Sequence, residues 1–297
     1  MSARSLALVV VGAMIGIGLS AAVLAARESR YPLAPVPERL LYLRSGRTAD
    51  RLMLSFDALA ADVYWIRSIQ HYGRDLKNRN QARRFELVAP LLDLTTTLDP
   101  HFLIAYRFGA VFLALEPPNG PGRADLAIAL LNKGLQPNPT RWQLAHDIGF
   151  VHYFHTGDFL AAAEWFERAA AMPTAPSWLG PLAATTKAQG GNRRGARQML
   201  EALRESPDIY VRRAAERALE QLTALDFIDH LTAIVKDFHR ARGRYPSSWE
   251  EMIREKAIPG VPVDQQQVPF VYDPVTGRIS ISPDSPLSPL PATLQAR

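Results

Sequence analysis

The middle of the chain repeats a pattern of paired helices, and this repeat restricts the possible folds more than any other feature. Gly109 and Gly149 each fall midway along a predicted first helix, where a small residue lets a second helix approach closely. Pro139 and Pro173 end successive units, at a spacing of roughly 34 residues. The predicted second helices carry alanines at close-contact positions and a large apolar residue between them: Ala127, Leu131, Ala162, Phe166 and Ala169. Because a single hairpin cannot cover its apolar face, we expect the hairpins to stack.

The same pattern predicts about five helical hairpins and therefore an all-α fold class. The clearest unit extends from Trp142 to Pro173. Pro100 and Pro207 end neighbouring units in the same way. The predicted hairpins pair residues 52–73 with 82–97, 101–115 with 123–136, 141–156 with 158–171, 178–189 with 193–205, and 208–224 with 226–242.

Residues 100–207 resemble tetratricopeptide repeats (TPR) through the glycines, alanines and prolines named above. A longer stretch, about residues 40–225, resembles a group of bacterial membrane-anchored TPR proteins without a well-assigned activity. This stretch contains LLYLRSG, ADVYWIRSIQHYG, LTTTLDPHFLIAYRFGAVFLA and RWQLAHDIGFVHYFHTGDFLAAAEWFERAA. The resemblance implies a TPR-like right-handed α-solenoid whose concave groove, lined by the first helices, binds another protein or a peptide segment.

The positions that line the peptide-binding groove in this family correspond, by repeat position, to mostly apolar and aromatic residues of this chain. These candidates are Tyr106, Ala110, Leu113, Gln143, His146, Phe150 and Tyr153. The Lys, Asn and Arg clamp with which the chaperone-binding subgroup grips a terminal carboxylate is missing. We therefore expect the groove to take an amphipathic or an extended apolar segment. The alternative is that several of these rings only pack between neighbouring helices.

An uncharged run at residues 5–26, SLALVVVGAMIGIGLSAAVLAA, predicts a single transmembrane helix. A helix needs roughly 20 apolar residues to cross a bilayer, whereas the apolar core of a cleaved signal peptide has only about 7–15. We therefore expect a retained anchor. Small residues that favour close packing between membrane helices recur on one face: Gly12, Gly16 and Ser20. The chain has no cysteine, which excludes disulfides, thiolate metal sites and a cysteine-linked lipid anchor.

Basic residues concentrate next to the predicted anchor. Residues 27–84 contain twelve Lys and Arg against six Asp and Glu, whereas the whole chain has a formal net charge of +5. This segment is suited to contact with anionic lipid headgroups, and a merely solvated Arg-rich surface is the alternative. Because the basic residues cluster beside the membrane span, we do not expect nucleic acid as a partner.

The predicted location is the inner membrane of a bacterium. The arginines after the span would keep the body of the protein in the cytoplasm by the positive-inside rule. A very short N-terminal tail before a long apolar run is, however, typical of an uncleaved export signal. On this ground we predict a periplasmic body, with the cytoplasmic orientation as the alternative.

The composition changes after residue 242, which predicts a small C-terminal module. PSS at 246–248 precedes WEEMI and indicates a helix start. Residues 269–272 and 278–281 flank DPVTG and predict a short β-hairpin, with Gly277 at the end of its turn. The order GxYPxSxEEM, PVD and VPFVYDPxTG resembles the C-terminal part of type II secretion pseudopilins, over about 40 residues. We prefer to interpret the module as a cap on the helical stack, because terminal repeats need cover.

The chain thus divides into an anchor, a repeat domain, a hairpin module and a proline-rich tail that we expect to be unstructured. The predicted boundaries are 1–30, 31–242, 243–282 and 283–297.

No catalytic motif emerges from the sequence: it has no phosphate-binding loop, no dinucleotide fingerprint and no nucleophile elbow. His152 and His155 are three residues apart and could point the same way, but no acidic residue accompanies them as in a hydrolytic zinc helix. The sequence therefore predicts a membrane-anchored TPR scaffold without enzymatic activity or cofactor, in the assembly of an envelope or secretion complex. Alternatives are a purely structural subunit of a membrane complex and an unrecognised metal-dependent enzyme.

Overall fold

A computed structural model describes residues 14, 16–20, 22–23, 26, 56–77 and 85–291. This part of the chain is mostly helical, with one small antiparallel sheet of two strands, so the all-α class is confirmed. Among these residues no helix is both long and apolar enough to cross a membrane. Most of the predicted transmembrane segment, Gly12 included, and most of the basic segment lie outside the described residues. Gly16 and Ser20 are helical and exposed.

The helices and strands follow in a simple order. They are α1 (Asp57–Lys77), α2 (Val88–Leu98), α3 (Leu103–Ala114), α4 (Ala124–Leu135), α5 (Trp142–Val151), a π-helical turn (His152–Thr156), α6 (Phe159–Ala170), α7 (Leu179–Gln189), α8 (Arg193–Leu203), α9 (Ile209–Arg242), α10 (Trp249–Arg254), β1 (Val271–Tyr272) and β2 (Ile279–Ser280). The first four predicted hairpins are confirmed, as α1 with α2, α3 with α4, α5 with α6, and α7 with α8.

Side-chain caps fix where several of these helices begin. Asp158 accepts a hydrogen bond from the Ala161 amide at 2.9 Å and starts α6, and Asn192 does the same for α8 through the Gly195 amide at 2.9 Å. Gly157, at φ 69°, lies in the left-handed region between α5 and α6, where glycine has no Cβ penalty. The capping residues thus fix these helix starts locally, because their side chains accept hydrogen bonds from backbone amides that have no partner within the helix.

The prediction of a fifth hairpin at 208–242 is wrong, because α9 is one continuous helix of 34 residues. The sequence from Asp208 to Arg242 contains neither glycine nor proline, so nothing interrupts the backbone hydrogen bonds before Gly243, at φ 72°. Arg193 of α8 forms ion pairs with two residues near the middle of α9, Asp226 at 3.0 Å and Asp229 at 2.5 Å.

The helices pack chiefly on their neighbours in sequence. Each helix from α1 to α8 contacts the one that follows, and α3 also contacts α5, as α7 contacts α9. Glycine permits the closest approach of each second helix: a Cβ on Gly149 would lie 2.6 Å from the Phe166 ring of α6, and one on Gly109 would lie 3.1 Å from Leu130 of α4 as well as 2.7 Å from Leu92 of α2. The predicted role of these two glycines is confirmed.

The C-terminal module packs on the second half of α9. Trp249 Nε1 donates to the Phe270 carbonyl at 3.1 Å, and both residues share a core with Leu231 and Val235 of α9. The predicted β-hairpin is confirmed, with Tyr272 opposite Ile279 and Gly277 at φ 72°.

In contrast to the predicted unstructured tail, residues 283–291 pack against α9. Leu287 is buried in the same core, and Gln221 of α9 donates to the carbonyls of Leu287, at 2.8 Å, and Pro289, at 3.0 Å. Prolines lack amide donors, so a segment rich in them leaves few backbone donors without partners on docking. Residues 292–297 lie outside the described part of the chain.

Candidate functional site

A pocket of about 290 Å³ opens between α3 and α5, and we call it the α3–α5 groove. Its walls come from the facing sides of two first helices. They are formed by Arg107, Phe108, Ala110, Val111 and Ala114 of α3, and by His146, Asp147, Phe150, Val151 and His155 of α5 and the π-helical turn. The groove thus lies between the first helices of two successive hairpins.

Small side chains keep this groove open, whereas aromatic rings fill the equivalent gap between α1 and α3. There, Phe112 of α3 stacks on Tyr72 at 4.3 Å and on Trp65 at 6.0 Å between ring centroids. On the α5 side, α3 presents Ala110 and Ala114, which are too small to reach across. The position of the groove therefore follows from residue size at a few positions of α3.

The walls of the groove are apolar and exposed. Phe108 is 56% exposed, Val111 42% and Phe150 39%, which is unusual for large apolar residues that lie side by side. Phe154, which is also exposed, extends the surface, since its ring centroid lies 4.4 Å from that of Phe150. Covering these side chains would remove apolar area from water, which favours binding.

An ion pair bridges one end of the groove, near the middle of each of the two helices. Arg107 Nε of α3 donates to Asp147 Oδ2 of α5 at 2.6 Å, and Arg107 Nη2 lies 3.3 Å from Oδ1. His146 Nδ1 is also 3.0 Å from Asp147 Oδ1. Asp147 is largely buried, while Arg107 is about half exposed. The pair ties the walls together and leaves the outer edge of the guanidinium open to solvent.

The π-helical turn brings His155 to the groove. Such turns add a residue to the helical repeat and occur frequently at functional sites. Thr156 Oγ1 donates to the His152 carbonyl at 3.0 Å, and Gly157 ends the turn. His155 then lines the groove, whereas the His152 ring lies 3.4 Å from Thr156 Oγ1. Within the described ranges, no cluster of three or more His, Cys, Asp or Glu could hold a metal ion.

Three of the residues predicted from repeat position, Ala110, His146 and Phe150, do line the groove. The structure places Tyr106 and Leu113 in the core instead. Tyr106 is fully buried, its hydroxyl donates to the Thr96 carbonyl at 3.2 Å, and burial raises its pKa to about 12. These two side chains have no surface to offer a ligand.

The other two predicted residues, Gln143 and Tyr153, are partly buried and lie outside the groove. The hydroxyl of Tyr153 donates to Gln189 Oε1 of α7 at 2.9 Å, so its ring packs towards the next hairpin. The alternative of packing between helices therefore applies to Tyr153.

The sequence reasoning missed Arg107, Phe108, Val111, Asp147 and His155. A signal was present in α3, LIAYRFGAVFLA, which is apolar on more than one face. One apolar face faces the core, and the excess apolar residues on the other face form the wall of the groove.

Comparison with protein-family models, with curated proteins and with solved structures finds no match to this chain.

Proposed function

We propose that this chain is a TPR-type scaffold that binds a segment of another protein in the α3–α5 groove. The observation that carries the proposal is the exposed apolar wall formed by Phe108, Val111 and Phe150. A right-handed solenoid is the arrangement that we propose for the hairpins. It is supported by the packing of each helix on its sequence neighbours and by the contact between the first helices α3 and α5.

Photo-crosslinking tests this function directly. Benzoylphenylalanine replaces Val111 in the groove or, as a matched control, Val275, which is 83% exposed in the turn of the β-hairpin. We expect an adduct with a discrete partner from position 111 and none from position 275. The double variant Phe108→Ser, Phe150→Ala should lower the yield of the adduct at 111 more than tenfold, because losing an apolar hot spot costs about 2 kcal/mol or more. The same adducts from both positions would contradict the proposal.

We further propose that residues 5–26 anchor the scaffold in a bacterial inner membrane with its body in the periplasm. The support is the length of the uncharged run. Alkaline phosphatase and a fluorescent protein, each fused after Arg297, separate the two orientations. Active phosphatase beside a dark fluorescent fusion is expected, and the reverse pattern would place the body in the cytoplasm.

A purely structural subunit is the second candidate, and α1 favours it. Leu59, Val63 and Ile66 follow one another at helical spacing on the outside of α1, and all three are exposed. Such a face would bind a neighbouring subunit. In that case, crosslinks would form from position 63 and not from position 111.

A further inference from the structure

The α3–α5 groove offers few hydrogen-bonding groups to the backbone of a ligand. Both walls are helical, and most of their amide and carbonyl groups are bonded within the helix. Of the polar side chains at the bridged end, Asp147 already has both oxygens within hydrogen-bonding distance of Arg107 or His146. An extended segment pressed into the groove would therefore leave buried amides and carbonyls without partners, which is costly. An α-helix satisfies its own backbone before it binds.

The length of the groove also suits a helix. Residues 107 to 114 of α3 cover about 10 Å at roughly 1.5 Å per residue, which is close to two turns. Two apolar side chains placed seven residues apart on a ligand helix would be separated by the same distance. Such a helix can place one anchor beside Phe108 and another beside Ala114, which both line the groove.

The positive charge of Arg107, at the end of the groove that the ion pair bridges, favours a ligand helix with an acidic residue next to its apolar anchors. Arg107 uses Nε and Nη2 on Asp147, and within the described part of the chain its Nη1 makes no hydrogen bond. Guanidinium groups favour carboxylates, which accept in the geometry of their planar donors. Asp147 is the single carboxylate among the residues that line the groove, and it is largely buried.

We propose that the occupant of the groove is an amphipathic α-helix of a partner protein. It carries two or three apolar residues over two turns and an acidic residue that contacts Arg107. This inference rests on the proposed function and narrows it to one class of ligand, excluding extended and proline-rich segments.

Two labelled peptides of identical amino-acid composition test the proposal. The full chain is held in nanodiscs of zwitterionic lipid, and binding of each peptide to empty nanodiscs is subtracted. In the first peptide, leucines recur every three or four residues and glutamates flank them. In the second, the same residues are permuted so that leucines alternate with polar residues. Fluorescence anisotropy should show the permuted peptide binding at least tenfold more weakly. Phe108→Ser and Phe150→Ala should each weaken the helical peptide about tenfold, and Tyr210→Ser, an exposed aromatic on α9, should not.

A third peptide, with lysine in place of each glutamate, tests the contact with Arg107. It should bind the wild-type chain several-fold more weakly than the first peptide, and Arg107→Gln should abolish this difference. Equal binding of the two peptides to the wild-type chain would overturn the acidic contact.

The residues of the partner crosslinked from position 111 give a measurement that does not depend on designed peptides. Mass spectrometry should locate them in a segment with apolar residues three, four or seven apart and no internal proline. A proline-rich or strictly alternating segment would overturn the helical ligand and leave the scaffold function standing. If no partner crosslinks from position 111, the scaffold function itself fails, so the two failures are distinct.

Discussion

The ring of Tyr106 packs against Gly134 of α4, which has no side chain. A Cβ on Gly134 of α4 would lie 2.8 Å from Tyr106 Cδ1 and 2.9 Å from Cγ. The ring cannot retreat easily, because it is fully buried and its hydroxyl is bonded to Thr96. Glycine at this position is therefore a packing requirement, although it weakens the helix that carries it.

We expect Gly134→Ala to destabilise the protein by about 1–3 kcal/mol, the usual cost of overpacking a core. The matched control is Gly73→Ala in α1, where a Cβ would meet no atom within 4 Å. There the better helix propensity of alanine should raise stability by up to about 1 kcal/mol. Urea unfolding followed by circular dichroism measures both changes, and a change of the same sign in both variants would contradict the packing argument.

His71 makes the stability of the protein sensitive to acid. Burial, opposed by Asp75 and reinforced by Arg74, lowers the pKa of His71 below its usual value of 6.5. The native state thus disfavours the protonated ring, so its stabilising contribution is present above about pH 6.5 and is lost as the pH falls towards the native pKa. Urea midpoints at pH 7.5 and 5.5 should fall further for the wild type than for His71→Gln. Parallel pH dependence of the two proteins would exclude His71 as the cause.

At the scale of helices, the sequence predicted four hairpins because capping residues and glycines determine local structure. The prediction failed at α9, because the helical periodicity of residues 208–242 fits one helix or two. The lack of glycine and proline in this stretch favours one helix, and contacts with α8 and the C-terminal module hold it. Only some of the residues that line the groove were predicted, because repeat position does not determine how each helix rotates. Repeat position located α3 and α5, but the side chains that face outwards depend on how the helices rotate when they pack, as Tyr106 and Phe108 show.

The absence of native cysteine makes the continuity of α9 directly measurable. Arg213 and Lys236 are both exposed, and in one straight helix about 35 Å of helix axis separates them. Spin labels on cysteines at these positions should report a distance near this value. A hairpin would bring the two helical segments to within about 10 Å of each other, and a label distance near 10–20 Å would contradict the continuous helix.

At the scale of the whole molecule, residues 283–291 complete a core that α9 and the hairpin module leave open. We expect Leu287→Ala to lower the free energy of unfolding by about 2–5 kcal/mol, because Leu287 is only 2% exposed. Val275→Ala, at an exposed site, should change it by less than about 0.5 kcal/mol. Chemical denaturation compares the two variants, and equal small effects would show that the segment is only loosely attached.

The neighbour-to-neighbour packing of α1 to α8 has a consequence for synthesis. Contacts close in sequence form quickly, so each hairpin can fold while the ribosome is still making the next. The contact between Gln221 and Leu287 is different, because 66 residues separate its partners and it forms only after the whole hairpin module has been made. A nascent chain that stops short leaves apolar side chains of α9, such as Leu231, uncovered. Residues 283–291 thus close this core late in folding, and a chain truncated before them would expose an apolar surface of the kind that chaperones and proteases bind.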